Sequence, residues 1–124
     1  MQQSNDNNQK CCPPARDDLG GPLHGEEAES ELAGMAQALG HPVRVAILRI
    51  LIDREECICG ELVDQLPVAQ STVSQHLKKL KDADWIRGSV DGPRTCYCIE
   101  PAALKRFRRL FGSILRLEAE EVTS

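Results

Sequence analysis

The fold is decided by residues 60–99, which read GELVDQLPVAQSTVSQHLKKLKDADWIRGSVDGPRTCYCI. Residues 60–66 predict a brief helix, and residues 70–83 predict a longer one with an apolar stripe at helical spacing. Two helices joined by a few residues, the second polar and basic on its outside, form the helix-turn-helix pattern. Short alternating segments then flank Asp91-Gly92, a strong hairpin-turn dipeptide, so a β wing follows the second helix. The sequence predicts a mainly α fold with a small β-hairpin wing, a winged helix-turn-helix.

The flanking segments predict further helices. Residues 27–39 have helical apolar spacing, a second helix opens at Pro42, and a last helix opens at Pro101. The apolar surface of this last helix is broader than the core of so small a domain needs, so we expect a homodimer formed through the first and last helices. The alternative is that the last helix only caps the core of a monomer. We assign residues 1–26 to a flexible tail that contains Cys11-Cys12, and residues 27–121 to the DNA-binding and dimerisation domain.

Composition narrows the class of protein. A chain of 124 residues is one small domain with little room for a catalytic cleft, so we expect no enzyme. Aromatic residues make up 3% of the chain, which argues against a base-stacking platform. No apolar run approaches the ~20 residues of a membrane span, and the N-terminus has no signal-peptide core, so we expect a cytoplasmic protein without membrane contact.

Charge is unevenly spread along the chain. The net charge of −4 is the sum of −7 over residues 1–69, +5 over residues 70–109 and −2 over the remainder. A local basic segment in an acidic chain is what a protein that touches phosphates with one face would show, although a solvated helix face would look the same.

The second helix of the motif carries side chains suited to double-stranded DNA. Glutamine can pair with adenine, hydroxyl groups serve several bases, and lysine and arginine suit phosphate or the minor groove. We include His76 as a DNA-facing or half-buried residue. The predicted DNA contacts are Gln70, Ser71, Thr72, Ser74, Gln75, His76, Lys78, Lys79, Arg87 and Arg94.

Six cysteines occur as three close pairs, Cys11–Cys12, Cys57–Cys59 and Cys96–Cys98. In a reducing compartment such pairs favour metal binding or redox chemistry over structural disulfides. In an extended Cys-x-Cys segment both sulfurs share one face, and in winged helices the stretch before the motif pairs with the second wing strand. The spacing therefore permits an intrachain site of three or four thiolates, which suits soft ions. The alternative is that these cysteines are small buried apolar residues.

The chain resembles the ArsR/SmtB family of bacterial metal-responsive winged-helix repressors. The likeness rests on Ala38-Leu39-Gly40-His41-Pro42-Val43-Arg44, Cys57-Ile58-Cys59-Gly60-Glu61-Leu62, Gln70-Ser71-Thr72-Val73-Ser74-Gln75-His76-Leu77 and Cys96-Tyr97-Cys98-Ile99. It implies a homodimer that binds an imperfect inverted repeat in operator DNA and leaves it when an inducer binds. It also implies a second ligand arrangement, in which Cys57 and Cys59 are completed by Cys11 and Cys12 of the other subunit.

Arsenite, As(III), is the first inducer that these thiols suggest, followed by Cd(II) and Pb(II), with Zn(II) less suited without nitrogen ligands. Some members of the family bind zinc across the paired last helices. Here the matching positions are Pro101-Ala102-Ala103, Ile114 and Leu117, which cannot ligate, so we expect that zinc site to be absent. Three alternatives remain open: a thiol redox or reactive-sulfur sensor, structural zinc in a constitutive regulator, and a small thiol enzyme, although Cys-x-Cys is not the Cys-x-x-Cys redox spacing.

Overall fold

The structure is a computed structural model that describes residues 15–16, 19–54, 58–59, 68–89 and 96–117. Within these ranges the elements are α1 (Glu26–Ala38), α2 (Pro42–Arg54), β1 (Ile58–Cys59), α3 (Gln70–Asp82), β2 (Ile86–Ser89), β3 (Cys96–Ile99) and α4 (Pro101–Ile114). The described part is therefore mainly helical with an antiparallel β2–β3 hairpin, as the winged helix-turn-helix prediction requires. The predicted brief helix at 60–66 and the turn at Asp91-Gly92 lie outside the described residues.

The helices begin and end where local chemistry favours it. Pro42 opens α2, at a position where a missing N–H costs nothing, and the Nδ1 atom of His41 accepts the backbone N–H of Val43 at 3.1 Å. Ala69 precedes α3 and makes no side-chain capping bond, since alanine has no side-chain acceptor. After α3 the chain turns at Asp84, whose φ of 68° is a left-handed conformation that aspartate tolerates better than most residues.

The three strands form one antiparallel sheet in the order β1-β3-β2. In the register of the sheet, Cys59 is opposite Cys96, while on the other side of β3 Arg87 is opposite Cys98. The central strand β3 is therefore bonded to the strand that precedes the helix-turn-helix segment and to the strand that follows α3.

The core lies between α1, α2, α3, α4 and the sheet. Its largest fully buried apolar side chains are Trp85, Tyr97, Ile47, Leu51, Leu80 and Leu110. Trp85 joins distant elements, because its indole N–H donates to the Met35 carbonyl of α1 at 3.0 Å and its ring lies 5.3 Å from that of Phe107 in α4. Core packing thus fixes α4 against α1 and against the turn that follows α3.

Residues 19–25, which composition assigns to the flexible tail, pack against α4. Leu19 and Leu23 lie on the core, and the side chain of Arg106 donates to the carbonyls of Gly21 at 3.1 Å and Pro22 at 2.7 Å. The Ser113 hydroxyl donates to the Leu23 carbonyl at 3.3 Å. The domain therefore holds part of the N-terminal segment, because α4 offers hydrogen-bond donors to its backbone.

Candidate functional site

Helix α3 presents a polar face and a buried face. Its exposed side chains are Gln70, Ser71, Gln75, Lys78, Lys79, Lys81 and Asp82, and Thr72 and Ser74 are half-buried. Val73, Leu77 and Leu80 are buried on the opposite side. Of the predicted DNA contacts on this helix, all but His76 therefore lie at least partly at the surface, with hydroxyl and amide groups near the N-terminus and lysines in the later turns.

His76 lies on the buried side of α3, with 8% of its surface exposed. Its Nδ1 atom accepts a hydrogen bond from Nε of Arg44 in α2 at 3.1 Å, and its ring centroid lies 4.4 Å from that of His41. Burial, followed by repulsion from His41 and Arg44, lowers the pKa of His76 below its ordinary value. The ring therefore faces α2, a different position from the DNA-facing one considered in the sequence.

Arg44 ties three elements together. Besides His76, its guanidinium donates to the backbone carbonyls of Ala38 at 3.2 Å and Gln37 at 3.4 Å, at the end of α1. Cations at a helix C-terminus satisfy its unpaired carbonyls and complement the helix dipole. Neither this role of Arg44 nor its bond to His76 was predicted from the sequence.

The cysteines of the wing lie on the central strand. Cys96 and Cys98 are 7% and 3% exposed, and both sulfurs are engaged in disulfide bonds. Ser89 is opposite Cys96 and Arg87 opposite Cys98 on β2, so these four side chains share one face of the sheet. Across β1, Cys59 is opposite Cys96. The predicted alternation of Cys-x-Cys on β3 is thus present, with both cysteines directed to the same face.

Several predicted site residues are not described. Cys11, Cys12, Cys57 and Arg94 lie outside the described residues, and for Cys59 only the backbone is described. In the part that is described, no three His, Cys, Asp or Glu side chains are grouped as a metal ion requires. The ligand set remains a prediction from the sequence. Arg87 is half-buried, and its guanidinium donates to the Ile99 carbonyl of β3, so part of its hydrogen-bonding capacity is spent within the wing.

Two charged side chains are buried near the start of α4: Glu100, which follows β3, and Arg106 on α4 itself. Glu100, 2% exposed, accepts the backbone N–H of Arg16 at its Oε2 atom, at 3.1 Å. Arg106, 1% exposed, donates from Nε and Nη2 to the two carboxylate oxygens of Glu31 in α1, at 2.8 and 2.7 Å. The hydrogen bond from Arg106 holds the pKa of Glu31 below its ordinary value. These pairs anchor the N-terminal segment and α1 to the rest of the domain.

The outer side of α4 carries exposed apolar side chains. Phe111 is 42% exposed and Leu115 is 51% exposed, with Leu104 and Leu117 also at the surface. The rings of Phe107 and Phe111 stack at 6.0 Å. No single helix in the described ranges is long and apolar enough to cross a bilayer; only α1 and α2 together, across a bend of 91°, meet the length and composition.

The known proteins that this chain resembles are transcriptional regulators. Residues 41–87 match the family described as "Bacterial regulatory protein, arsR family". The chain is 44% identical over 63 residues to the HTH-type transcriptional repressor SmtB of Mycobacterium tuberculosis, a match that covers 51% of this chain and 46% of that protein. The chain therefore spans about half the length of this relative.

Two other relatives are matched over more of their length. The HTH-type transcriptional regulator CmtR of Mycobacterium bovis is 33% identical over 81 residues, which cover 65% of this chain and 68% of that protein. The HTH-type transcriptional regulator MJ1325 of Methanocaldococcus jannaschii is 31% identical over 85 residues, or 68% of this chain and 94% of that protein.

Proposed function

This chain belongs to the arsR family of bacterial regulatory proteins, and we propose that it is a metal-responsive transcriptional repressor. In this proposal a homodimer binds an imperfect inverted repeat in operator DNA, and a thiophilic ion bound by cysteine thiolates releases it. The observation that carries the proposal is the pair Cys96 and Cys98 on the strand that is bonded to both β1 and β2.

DNA binding is proposed for the polar face of α3. Gln70, Ser71 and Gln75 lie at the surface near its start, where recognition helices reach base edges in the major groove. Lys78 and Lys79 follow at positions suited to phosphate, and Arg87 with Arg94 would add contacts from the wing. His76 no longer belongs to this set in our proposal, because its ring faces Arg44.

The donor set on β3 fits a soft ion. Cys96 and Cys98 lie on one face of a buried strand, and the backbone of Cys59 is opposite that of Cys96. Once reduced, these residues would offer sulfur ligands at the spacing of adjacent strands, which a tetrahedral or three-coordinate ion can use. Cys57 joins this set from the sequence alone. As(III) is the inducer that we favour, then Cd(II) or Pb(II), and Zn(II) last. When bound, the ion would link the strands through their cysteine sulfurs. The thiols must be reduced before they ligate.

The tail cysteines are the second source of ligands. The Arg16 backbone is bonded to Glu100, two residues beyond Cys98, and Cys12 precedes Arg16 by four residues. Four residues span at most roughly 14 Å when extended. This anchor therefore favours delivery of Cys11 and Cys12 to the wing of their own chain, whereas the resemblance implies delivery to the other subunit.

The dimer would form through α1 and α4. Phe111 on α4 and Leu115 directly after it form an apolar surface that the described part of the domain leaves exposed, and a second copy would bury it. A two-fold arrangement would set two α3 helices at the ~34–36 Å spacing of successive major grooves.

Release by the ion is the decisive test. Fluorescence anisotropy would follow reduced protein on a duplex that the wild type selects from a random-sequence pool, during titration with arsenite and separately with Cd(II). We expect the affinity to fall about 5–150-fold, the range of ordinary allosteric coupling. Cys98→Ser should keep the DNA affinity and lose this response, and Cys12→Ser reports whether the tail contributes. A Cys98→Ser protein that is released at the wild-type concentration of ion would contradict the proposed site.

A thiol redox sensor is the second candidate, because the sulfurs of Cys96 and Cys98 are engaged in disulfide bonds in this structure. Two thiols would give up two electrons and two protons to an oxidant such as diamide and form each disulfide. In the same assay, release by diamide without release by arsenite or Cd(II) would favour this candidate over the metal sensor.

A further inference from the structure

A hydrogen bond between side chains joins α3 to α2, from Nε of Arg44 to Nδ1 of His76. Apolar side chains such as Ile47, Leu51 and Leu77 belong to the buried core to which both helices contribute. A hydrogen bond from a cationic donor is directional, whereas apolar packing is not. The Arg44–His76 bond therefore selects one orientation of α3 among those that packing alone would tolerate.

The protonation state of His76 follows from this geometry. Arginine has no acceptor atom and keeps its proton throughout the ordinary pH range, so Nδ1 of His76 must present a lone pair and the ring is neutral with its proton on Nε2. A proton added to Nδ1 removes the lone pair and places a second cation against Arg44. The contact exists in one protonation state of the ring only.

The two charged groups that shift the pKa of His76 in the described residues both oppose its protonation. Arg44 comes from α2, and His41, whose ring lies 4.4 Å away, comes from the turn before α2. β2, which also packs against α3, carries the charged residue Arg87, and the charged residues of α3 itself are Lys78, Lys79, Lys81 and Asp82. Burial and the repulsion from His41 and Arg44 are the causes of the lowered pKa of His76. Within the described residues, no carboxylate is among these causes.

We propose that Arg44 and His76 form a positioning pair that sets the DNA-binding helix against α2, and that protonation of His76 releases this pair and weakens DNA binding. The inference rests on the proposed function, since it concerns the DNA affinity of α3. Arg44 keeps its bonds to the α1 carbonyls of Ala38 and Gln37 when His76 is protonated, so α3 is the element that is set free. His76 acts here through the orientation of α3 and touches no base.

We expect DNA affinity to fall on acidification, whereas the affinity of most proteins for DNA rises. Acidification adds positive charge to a protein, and positive charge ordinarily tightens its binding to the phosphate backbone. Because burial and repulsion hold the pKa of His76 below the ordinary 6.5, its protonation is expected only below that pH. A protein whose affinity falls as the pH is lowered from about 7.5 to well below 6.5 must therefore lose something specific. This opposite sign separates the positioning pair from ordinary electrostatics.

The test compares His76→Asn with the wild type. Asparagine places its side-chain oxygen where Nδ1 of histidine stands, accepts from Arg44, cannot be protonated, and has a helix propensity close to that of histidine. Anisotropy with the reduced, ion-free full chain on the selected duplex would be measured across this pH range. We expect wild-type affinity to fall about fivefold or more and His76→Asn affinity to stay level or rise. His24→Asn, remote from α3, should follow the wild type, and Arg44→Lys, which lacks the Nε donor, should bind weakly at every pH.

Two results would overturn the proposal: a wild-type affinity that rises on acidification, or an identical loss in His76→Asn. NMR of the wild-type chain keeps the proposal testable if His76→Asn fails to fold or if no duplex is bound. The α3 backbone amides of residues 70–82 should then shift with the same midpoint as the His76 ring. Amides that do not follow the ring would refute the positioning pair, whereas failure to bind any duplex, with amides that do follow, would refute only the proposed function.

Discussion

The buried pair of Arg106 and Glu31 gives a sharp prediction about stability. Arg106 is 1% exposed and donates four hydrogen bonds, two to Glu31 and two to the carbonyls of Gly21 and Pro22, whereas the Glu31 side chain keeps 34% of its surface in water. Breaking a buried ion pair costs about 3–5 kcal/mol when the remaining charge is left without solvent. Because Glu31 is partly exposed to water and Arg106 is not, the two single substitutions should lower the free energy of unfolding by different amounts.

Arg106→Met leaves a carboxylate that water can hydrate and carbonyls in exposed residues, so we expect a loss of about 2 kcal/mol in the free energy of unfolding. Glu31→Gln leaves the guanidinium of Arg106 buried without a compensating charge, and the glutamine side chain occupies the space that water would need to hydrate it. We therefore expect a loss of about 3 kcal/mol in the free energy of unfolding. The double variant should lose less than the sum of the two, because both substitutions remove the same interaction.

Urea denaturation followed by circular dichroism would measure these values, with the slope of the transition unchanged. Arg49→Met is the matched control, since Arg49 pairs with Asp53 at 3.5 Å while both side chains are 66% exposed, and it should cost no more than about 0.5 kcal/mol. A larger loss for Arg106→Met than for Glu31→Gln would refute the argument from unequal hydration.

Three further predictions concern pH, the core and the dimer. The pKa of Glu31 lies below its ordinary 4.5 because of its guanidinium partner, so its contribution to stability is present above about pH 4.5 and is lost as the pH falls through the folded value; Glu31→Gln should flatten the acid limb of a stability–pH curve. Trp85→Phe orphans the buried Met35 carbonyl and removes core volume, so a loss of about 2 kcal/mol should appear in urea denaturation, and a loss under about 0.5 kcal/mol would contradict the bond. Phe111→Glu should convert the dimer to a monomer in sedimentation while Lys105→Glu does not; two variants with equal mass would contradict dimerisation through α4.

The sequence predicts the elements because their signals are local. Helical spacing of apolar residues, Pro42 and Pro101 at helix starts, and strand alternation at Cys96-Tyr97-Cys98 each act within a few residues. These signals located α1, α2, α3, α4 and the β2–β3 hairpin close to their observed bounds. They also predicted the shared face of Cys96 and Cys98, since alternation along a strand has a period of two.

The contacts that tie the elements together were missed because they join residues distant in the chain. Arg106 and Glu31 are 75 residues apart, and Arg16 and Glu100 are 84 apart. The sequence did contain one signal of a buried partner for Arg106. Arg106 stands four residues before the buried Leu110, within an apolar stripe, and a charge at such a position indicates a buried partner.

His76 carried the same kind of signal. It follows Val73 by three residues and precedes Leu80 by four, so it belongs to the buried face of α3 rather than to its polar face. Its neighbours Gln75 and Lys78 are exposed, and the hydrophilic character of the segment concealed this position. Helical position predicts the direction of such a side chain better than its polarity does.

The topology of the sheet and the Arg44–His76 pair act on the same helix. β3 is bonded to β1, which ends eleven residues before α3 begins, and to β2, which starts four residues after α3 ends, while Arg44 holds His76 from α2. If the proposed ion at the β3 thiols and the proton at His76 each release DNA by moving α3, their effects on DNA affinity cannot simply add, because a helix already displaced has no orientation left to lose.

A thermodynamic cycle of two pH values with and without arsenite measures this coupling. We expect arsenite to weaken wild-type DNA binding by a smaller factor at a pH below the measured midpoint of the His76 ring than at about pH 7.5, and by the same factor at both pH values in His76→Asn. Thiolate formation, and with it arsenite affinity, also depends on pH. The protein is therefore titrated with arsenite at each pH, and DNA binding is compared at saturating arsenite. Equal factors for the wild type at both pH values would mean that the two groups act on DNA binding independently, and that α3 displacement is not their common route.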